Sequence, residues 1–198
     1  MISKPNFVAI TGGIGSGKSV VSKILKTFGF AVYDCDSKAK LLMDNSDEIK
    51  ESIATQISFN AITNNGDINR AVLSELVFNN KELLCKLNAI VHTAVLADIL
   101  KWKQTQMLFG KTIFVETAIL YQSGIDKIVD GVWNITAPDN IRIKRVMLRN
   151  DITEEQVRAR IKAQQHEHIS QRLNTINIIN DDATPLMPQI SLLLQNLK

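Results

Sequence analysis

Apolar and polar positions along the chain follow two alternating patterns. Short apolar runs with β-branched residues predict five strands, at residues 7–11, 30–33, 112–116, 131–136 and 176–180. Between most of these runs, apolar residues recur every three or four positions, which is the spacing of an amphipathic helix. Strands that alternate with helices in this way are typical of an α/β protein with a parallel sheet.

One long segment breaks this alternation. Residues from about 37 to 106 contain no convincing strand, and their apolar spacing predicts helices at 37–43, 47–57, 73–80 and 81–105. Inserted between the second and third strands, this helical block would form a wall over the edge of the sheet. Arg70 and His92 are its polar residues of interest, and each fits either a substrate contact or an ordinary surface or core position.

A glycine-rich loop joins the first strand to the first helix. Residues 12–19 fit the pattern G-x-x-x-x-G-K-[ST], the phosphate-binding P-loop. Glycines let backbone N–H groups approach a polyphosphate, and the helix N-terminus adds partial positive charge. Lys18 can reach the β- and γ-phosphates, and the Ser19 hydroxyl can bind Mg²⁺. The residues predicted to contact the nucleotide here are Gly13, Ile14, Gly15, Ser16, Gly17, Lys18, Ser19 and Val20.

Two other interpretations explain this glycine run less well. A simple turn between a strand and a helix does not account for Lys18 and Ser19 directly after Gly17. A dinucleotide-binding loop requires G-x-G-x-x-G, and Lys18 occupies the position of the third glycine. The sequence therefore favours a polyphosphate site.

Acidic residues follow two of the predicted strands. Asp34 and Asp36 come after the second strand, and Glu116 ends the third. Ligands of open parallel sheets bind outside the carboxyl ends of the strands, so these carboxylates fall on the same edge as the glycine loop. Glu116 has the place of a Walker-B acid, which can hold Mg²⁺. A turn or helix cap at Asp34 and Asp36, and an ordinary strand end at Glu116, remain open, and alternation along an extended chain points both aspartates to one side.

Basic residues cluster late in the chain. Arg142, Arg145 and Arg149 share one face of a helix that the pair at 150–151 breaks. A capping box, Thr153-x-x-Gln156, begins the helix that follows. Two helices joined by a short break favour a mobile lid over residues 139–172 whose arginines neutralise phosphates, although a solvated basic face is the simpler alternative.

Composition excludes some classes of protein. The chain has 198 residues with 23 basic and 20 acidic side chains, and it has no basic run, which argues against nucleic acid as a partner. The lack of an apolar leader or an 18-residue apolar stretch leads us to expect a cytoplasmic protein without membrane contact. Cys35 and Cys85 are expected to be reduced and interior, and His166 and His168 do not share a helix face that could bind a metal. The oligomeric state stays open.

These motifs together resemble the dephospho-CoA kinase family over nearly the whole chain. The combination of the P-loop, Asp34-Cys35-Asp36 and the helix Leu87-Asn88-Ala89-Ile90-Val91-His92 is more specific than the P-loop alone. The resemblance also covers residues 68–70, 73–78, 116–120, 145–151, 160–164 and 178–181. It implies a three-layer P-loop NTPase fold with a five-stranded parallel sheet, a helical CoA-binding insertion and a lid.

The resemblance also implies an activity and residue roles. The reaction would be ATP-dependent phosphorylation of the ribose 3′-hydroxyl of dephospho-CoA, with Mg²⁺. Asp36 looks like the catalytic aspartate, and Arg145 and Arg149 look like nucleotide and lid arginines. Asp34, Arg70 and His92 would contact dephospho-CoA.

Several residues differ from the usual family pattern. Val20 stands where threonine is common, Glu116 replaces aspartate, and Asn180-Asp181 reverses the usual order. A kinase of the same fold for another small molecule is the nearest alternative. A GTP-binding switch is a second, but the chain lacks the N-K-x-D motif that binds guanine.

Overall fold

A five-stranded parallel sheet organises the structure, a computed structural model that describes residues 6–164 and 173–197. The strands, in the spatial order β2-β3-β1-β4-β5, are β1 (Phe7–Thr11), β2 (Val32–Asp34), β3 (Ile113–Glu116), β4 (Gly131–Thr136) and β5 (Asn174–Ile179). All four neighbouring pairs run parallel. The predicted α/β class with a five-stranded parallel sheet is confirmed.

Helices connect the strands. In the described residues they are α1 (Lys18–Thr27), α2 (Cys35–Asn45), α3 (Asp47–Gln56), α4 (Arg70–Phe78), α5 (Lys81–Met107), α6 (Asp139–Asn150), α7 (Glu154–Gln164) and α8 (Leu186–Gln195). Short 3₁₀ helices cover Phe59–Ala61 and Ile125–Lys127. The chain divides into two compact units. The sheet unit comprises Met1–Asp34 and Lys103–Lys198, and the helical unit comprises Cys35–Trp102.

The core of the sheet unit lies between one face of the sheet and helices α1 and α8. Every second residue of β1 faces it, because side chains alternate across a strand. The buried members of this cluster are Val8, Ile10, Val21, Leu25, Phe114, Trp133, Ile135, Ile178, Ile190 and Leu194. The rings of Phe114 and Trp133 have their centres 5.1 Å apart. This packing fixes the carboxyl ends of the strands, where the glycine loop begins.

A smaller apolar cluster joins α6 to α7. Ile143 and Val146 of α6 pack against Val157 and Ile161 of α7, and Ile14 of the glycine loop packs against the same cluster. The predicted capping box starts α7 as expected, since Gln156 N donates to Thr153 Oγ1 and Thr153 N donates to Gln156 Oε1. The α6–α7 pair is therefore packed on the glycine loop.

The helical unit has a core of its own. Ile49, Ile53, Ala61 and Leu73 are buried there, and apolar residues of α5 pack against them. By length and composition α5 could cross a membrane, but one such helix is weak evidence, since core helices pass the same test. One isolated antiparallel bridge joins Ile62 to Ile68 inside this otherwise helical segment.

Two sequence expectations need correction. The second strand begins at Val32 and not at Phe30, because Phe30 N donates to Leu25 O and Gly29 N to Lys26 O, which closes the end of α1. Cys35 is buried as expected, but Cys85 is exposed on α5, so the expectation of two interior thiols was wrong. His166, His168 and the end of the predicted lid lie outside the described residues.

Candidate active site

The glycine loop, residues 12–19, runs from the end of β1 into α1. Gly17 precedes the helix with φ +99°, a left-handed conformation that favours glycine. Lys18 and Ser19 are the first residues of α1, and Ser19 and Val20 are exposed. The positive end of the helix dipole therefore lies at the loop, where it favours an anion.

Five consecutive carbonyl groups of the loop, from Gly12 to Ser16, accept hydrogen bonds. Lys18 Nζ donates to Gly12 O at 2.9 Å and to Gly13 O at 3.4 Å. The carbonyl of Ile14 accepts from Arg142 Nε at 2.9 Å. The donors to the last two carbonyls are Arg145 Nη1, to Gly15 O at 3.3 Å and Ser16 O at 3.5 Å, and Asn180 Nδ2, to Ser16 O at 2.7 Å.

This arrangement suits a loop that binds an anion. A carbonyl oxygen repels phosphate, and here each one is bonded to a cation or an amide. Because a peptide is planar, its N–H points opposite to its C=O, so the N–H groups of Gly15 and Gly17 point away from Arg142 and Asn180. The loop therefore has its acceptors satisfied and donors directed elsewhere.

Close packing requires glycine in the loop, and Gly15 and Gly17 are two such positions. A Cβ on Gly17 would collide with the Asn180 side chain, in addition to the strain of its positive φ. A Cβ on Gly15, where φ is +78°, would lie 2.6 Å from the backbone oxygen of Arg142 and 2.9 Å from Val146 Cγ2. Helix α6 and the end of β5 therefore touch the loop backbone directly.

Arg145 connects the loop to the segment after β5. Its Nη2 donates to Asn180 O at 3.0 Å and to Asn180 Oδ1 at 3.3 Å, and it pairs with the carboxylate of Asp182. Asn180 is 9% exposed, whereas the Asp182 side chain is 67% exposed. Asp182 adopts φ +64°, which is uncommon outside glycine. Arg145 thus supports the loop carbonyls and is partly neutralised by an acid.

Two predicted acids lie side by side at the carboxyl ends of neighbouring strands. In the parallel register, Glu116 of β3 pairs with Ile10 of β1 on one side and with Asp34 of β2 on the other. Residues paired across strands share a face of the sheet. Ile10 belongs to the core cluster beneath α1, so Glu116 and Asp34 lie on the face that α1 covers. The two carboxylates therefore share the edge and face from which the glycine loop departs.

Three predicted residues belong to the helical unit. Asp36 is exposed in the first turn of α2, two residues after the end of β2. Arg70 begins α4, and its Nη2 lies 2.6 Å from Asp44 Oδ1, with about half of each side chain exposed. His92 is half-buried on α5, and burial lowers its pKa below 6.5. Its neutral form is therefore favoured near neutral pH.

The loop partners were only partly expected from sequence. Arg145 contacts the loop, but Arg149 is exposed at the end of α6, where its Nε donates to Asn150 Oδ1 at 2.8 Å. Arg142, Gln164 and Asn180 contact the loop and were not assigned to the site. For Arg142 a signal was available, because its helical spacing places it on the same face as Arg145.

The oxygen donors at this edge fit a magnesium ion better than a softer metal. Ser19 offers a hydroxyl and Glu116 a carboxylate, and Mg²⁺ needs only one or two such protein ligands beside substrate phosphates and water. Within residues 6–164 and 173–197, no group of three or more His, Cys, Asp or Glu side chains could hold a metal alone. The residues present are therefore compatible with Mg²⁺ that arrives with a nucleotide.

Comparisons with known proteins identify the family. The sequence model described as dephospho-CoA kinase matches residues 6–185. The dephospho-CoA kinase of Geobacillus kaustophilus is 39% identical over 158 residues, which is 79% of each chain. That of Porphyromonas gingivalis is 34% identical over 192 residues, covering 96% of this chain and 94% of the relative. A solved dephospho-CoA kinase from Campylobacter jejuni has a TM-score of 0.70 at 27% identity, covering 97% of this chain and 96% of that chain.

These similarities extend well beyond the glycine loop. The family match begins just before β1 and ends just before α8. The two curated relatives carry the same description as the family, and the sequence resemblance to that family is confirmed. The chain belongs to the dephospho-CoA kinase family, whose enzymes catalyse the last step of coenzyme A biosynthesis.

Proposed function

We propose that the glycine loop binds the polyphosphate of ATP while Asp36 directs the 3′-hydroxyl of dephospho-CoA toward the γ-phosphoryl group. The reaction of the family transfers that group and gives coenzyme A and ADP. The observation that carries the proposal is the set of five bonded carbonyls in the loop, from Gly12 to Ser16. The carbonyls of residues 14–16 are bonded to groups other than Lys18, so this part of the loop needs little reorganisation when phosphate binds.

Lys18 would contact the γ-phosphoryl group and stay with it during transfer. Its Nζ now donates to Gly12 O and Gly13 O, so it already lies over the loop. Phosphoryl transfer has a loose transition state with charge on the peripheral oxygens, and a nearby ammonium stabilises that charge. Lys18 therefore acts on the transition state more than on ground-state binding.

Ser19 and Glu116 would hold Mg²⁺, with Asp34 beside them. Ser19 is the second residue of α1, and Glu116 and Asp34 occupy paired positions on the face that α1 covers. When bound, Mg²⁺ supplies charge neutralisation on the phosphate oxygens. The protein's own part is to present oxygen ligands at a fixed edge of the sheet.

Asp36 would accept the proton of the acceptor hydroxyl and orient it. Its position in the first turn of α2, immediately after β2, follows the edge of the sheet where ligands of this fold bind. Asp34 is the competing candidate, because it precedes Asp36 by two residues and lies at the end of the strand itself. In a loose transition state, orientation of the hydroxyl matters more than the strength of the base.

The helical unit would bind the rest of dephospho-CoA. Arg70 and His92 lie in this unit, and a cation and a neutral imidazole suit a phosphate and a ribose or base, respectively. The α6–α7 pair, with Arg149 exposed at its turn, would form the lid. We also propose that the enzyme acts in the cytoplasm, as the sequence analysis expects.

A substrate panel tests the reaction. Release of ADP should depend on both ATP and dephospho-CoA, and adenosine or AMP should not replace dephospho-CoA. Slow turnover with GTP alone would favour a nucleotide switch and contradict the proposal.

A pair of variants tests the assignment of Asp36. Asp36→Asn keeps the size but removes the charge and the basicity, and loss of a general base costs about 10²–10⁴ in rate. We expect kcat to fall by that order with little change in the Kd of ATP, since the glycine loop is intact. Asp34→Asn is the matched control and should cost less, and part of its loss should be restored by added Mg²⁺ if Asp34 helps hold the ion. A fully active Asp36→Asn enzyme, folded by circular dichroism, would move the role to Asp34 or Glu116.

A further inference from the structure

Ile14, at the tip of the glycine loop, is held on three sides by the α6–α7 pair. Gln164 Oε1 accepts from Ile14 N at 2.7 Å, and Arg142 Nε donates to Ile14 O at 2.9 Å. The Ile14 side chain packs against the apolar cluster of these two helices. The backbone N–H, the backbone carbonyl and the side chain of one residue are therefore all engaged.

Gln164 reaches the loop from the last position of α7. Val157, Ile161 and Gln164 are spaced at i, i+4 and i+7, so they share one face of the helix. Val157 and Ile161 are buried in the α6–α7 cluster, and Gln164 continues the same face with a polar group. An apolar residue would fit the pattern of this face equally well, and only the glutamine supplies an acceptor for the Ile14 N–H.

The neighbours of Ile14 explain why such an acceptor matters. Gly13 and Gly15 flank it, and glycine leaves the adjoining peptides free to rotate. The N–H of Ile14 belongs to the peptide after Gly13, and its carbonyl belongs to the peptide before Gly15. The bonds to Gln164 and Arg142 fix one peptide each, next to the glycines that otherwise leave the loop backbone free to rotate.

We propose that Gln164 is a positioning residue for phosphoryl transfer, which fixes the Gly13–Ile14 peptide and so couples the end of α7 to the shape of the nucleotide-binding loop. The inference rests on the proposed role of the loop in binding ATP. It gives α7 a direct part in nucleotide affinity, separate from any lid arginine. Loss of the acceptor leaves an amide unpaired in the loop and lets the peptide turn, so part of the order must be restored when ATP binds.

Three variants of the full-length chain separate this role from general stability. Gln164→Met keeps the length of the side chain and removes the strong acceptor. Gln164→Glu keeps an acceptor oxygen at the same reach. Ala163→Met, on the neighbouring exposed position, is the matched control for a longer apolar side chain at the end of α7.

Two measurements are made on each variant. Amide hydrogen exchange of Ile14, without ligand, reports the bond itself, and titration with ATP together with steady-state kinetics reports its consequence. For Gln164→Met we expect exchange and the Kd of ATP each to rise about three- to tenfold, as one lost hydrogen bond allows. The KM for dephospho-CoA should stay within about twofold, since the bond is to the ATP-binding loop. Gln164→Glu should recover most of the protection of the Ile14 amide, while its added charge beside the loop opposes ATP binding, and Ala163→Met should match the wild type in both measurements.

Each contrary outcome has a defined meaning. Unchanged exchange of Ile14 in Gln164→Met would overturn the coupling, and a lower melting temperature with unchanged ATP affinity would show a structural role only. Equal losses of Ile14 protection in Gln164→Met and Gln164→Glu would show that the acceptor oxygen is not the cause. A near-normal kcat in a folded Lys18→Ala variant would instead refute the proposed function of the loop, so the two failures are distinguishable.

Discussion

Asn180 offers a direct test of how the glycine loop is supported. Its Nδ2 donates to Ser16 O at 2.7 Å, its Oδ1 accepts from Arg145, and the residue is buried. Asn180→Leu preserves the approximate volume and removes both polar atoms. The variant therefore leaves the Ser16 carbonyl with only the 3.5 Å contact from Arg145, and Arg145 loses one of its acceptors.

The magnitude follows from these contacts. Leaving a buried polar group without its partner costs about 1–3 kcal/mol. Arg145 is about one quarter exposed and retains Asn180 O and Asp182 as acceptors, so its own loss is small. We expect the free energy of unfolding to fall by about 2 kcal/mol. If half of that cost is recovered only when the loop closes on phosphate, the Kd of ATP rises by about fivefold.

The assay combines urea denaturation, followed by circular dichroism, with titration of ATP. Asn177→Leu is the matched control, because Asn177 is exposed on β5, just before Asn180, and its Oδ1 accepts from Asn134 Nδ2 across the sheet surface. An exposed substitution of this kind should change stability by no more than about 0.5 kcal/mol. Equal effects of Asn180→Leu and Asn177→Leu on both measurements would refute the idea that buried contacts to the carbonyls shape the loop.

Three further predictions concern charged and titratable side chains. Lys18→Ala should fold yet lose nearly all turnover in a coupled ADP-release assay, and a near-normal kcat would contradict the role of the loop. Arg149→Ala should lower kcat more than it weakens dephospho-CoA binding, whereas a change in melting temperature alone would favour a structural face. Burial lowers the pKa of His92 below 6.5 in the folded protein, so on acidification His92 is protonated in the unfolded chain before it is protonated in the folded one. The free energy of unfolding should therefore fall as pH drops through 6.5 toward the lower folded pKa, and His92→Gln should remove that part of the pH dependence.

The elements of the sheet could be predicted because their signals are local. Strand β1 and the glycine loop are adjacent in sequence, and the G-x-x-x-x-G-K-[ST] spacing fixes the order of strand, loop and helix. The start of β2 was placed two residues early, since a bond from Phe30 N back into α1 is not visible in an apolar run. Local pattern therefore predicts elements well and their caps less well.

The partners of the loop were harder to predict because they come from distant parts of the chain. Asn180 and Gln164 lie more than a hundred residues after the loop, and both use a side-chain amide whose type carries no marked preference for such a site. Arg142 was visible only as one of three basic residues on a helix face. Of these three, Arg142 and Arg145 contact the loop, while Arg149 bonds to its neighbour Asn150. Spacing alone does not separate them.

The order of the strands has a consequence for synthesis of the chain. Central strand β1 emerges first, but both of its neighbours come much later, since Phe7 pairs with Ile113 and Val8 with Gly131. At about 5–20 residues per second, roughly 5–20 s pass before the first partner leaves the ribosome. The segment Cys35–Trp102, which has its own core, is complete by then. The helical unit can therefore fold while β1 is still unpaired. Because β1 is fully buried in the finished protein, this apolar segment of the nascent chain needs protection from aggregation.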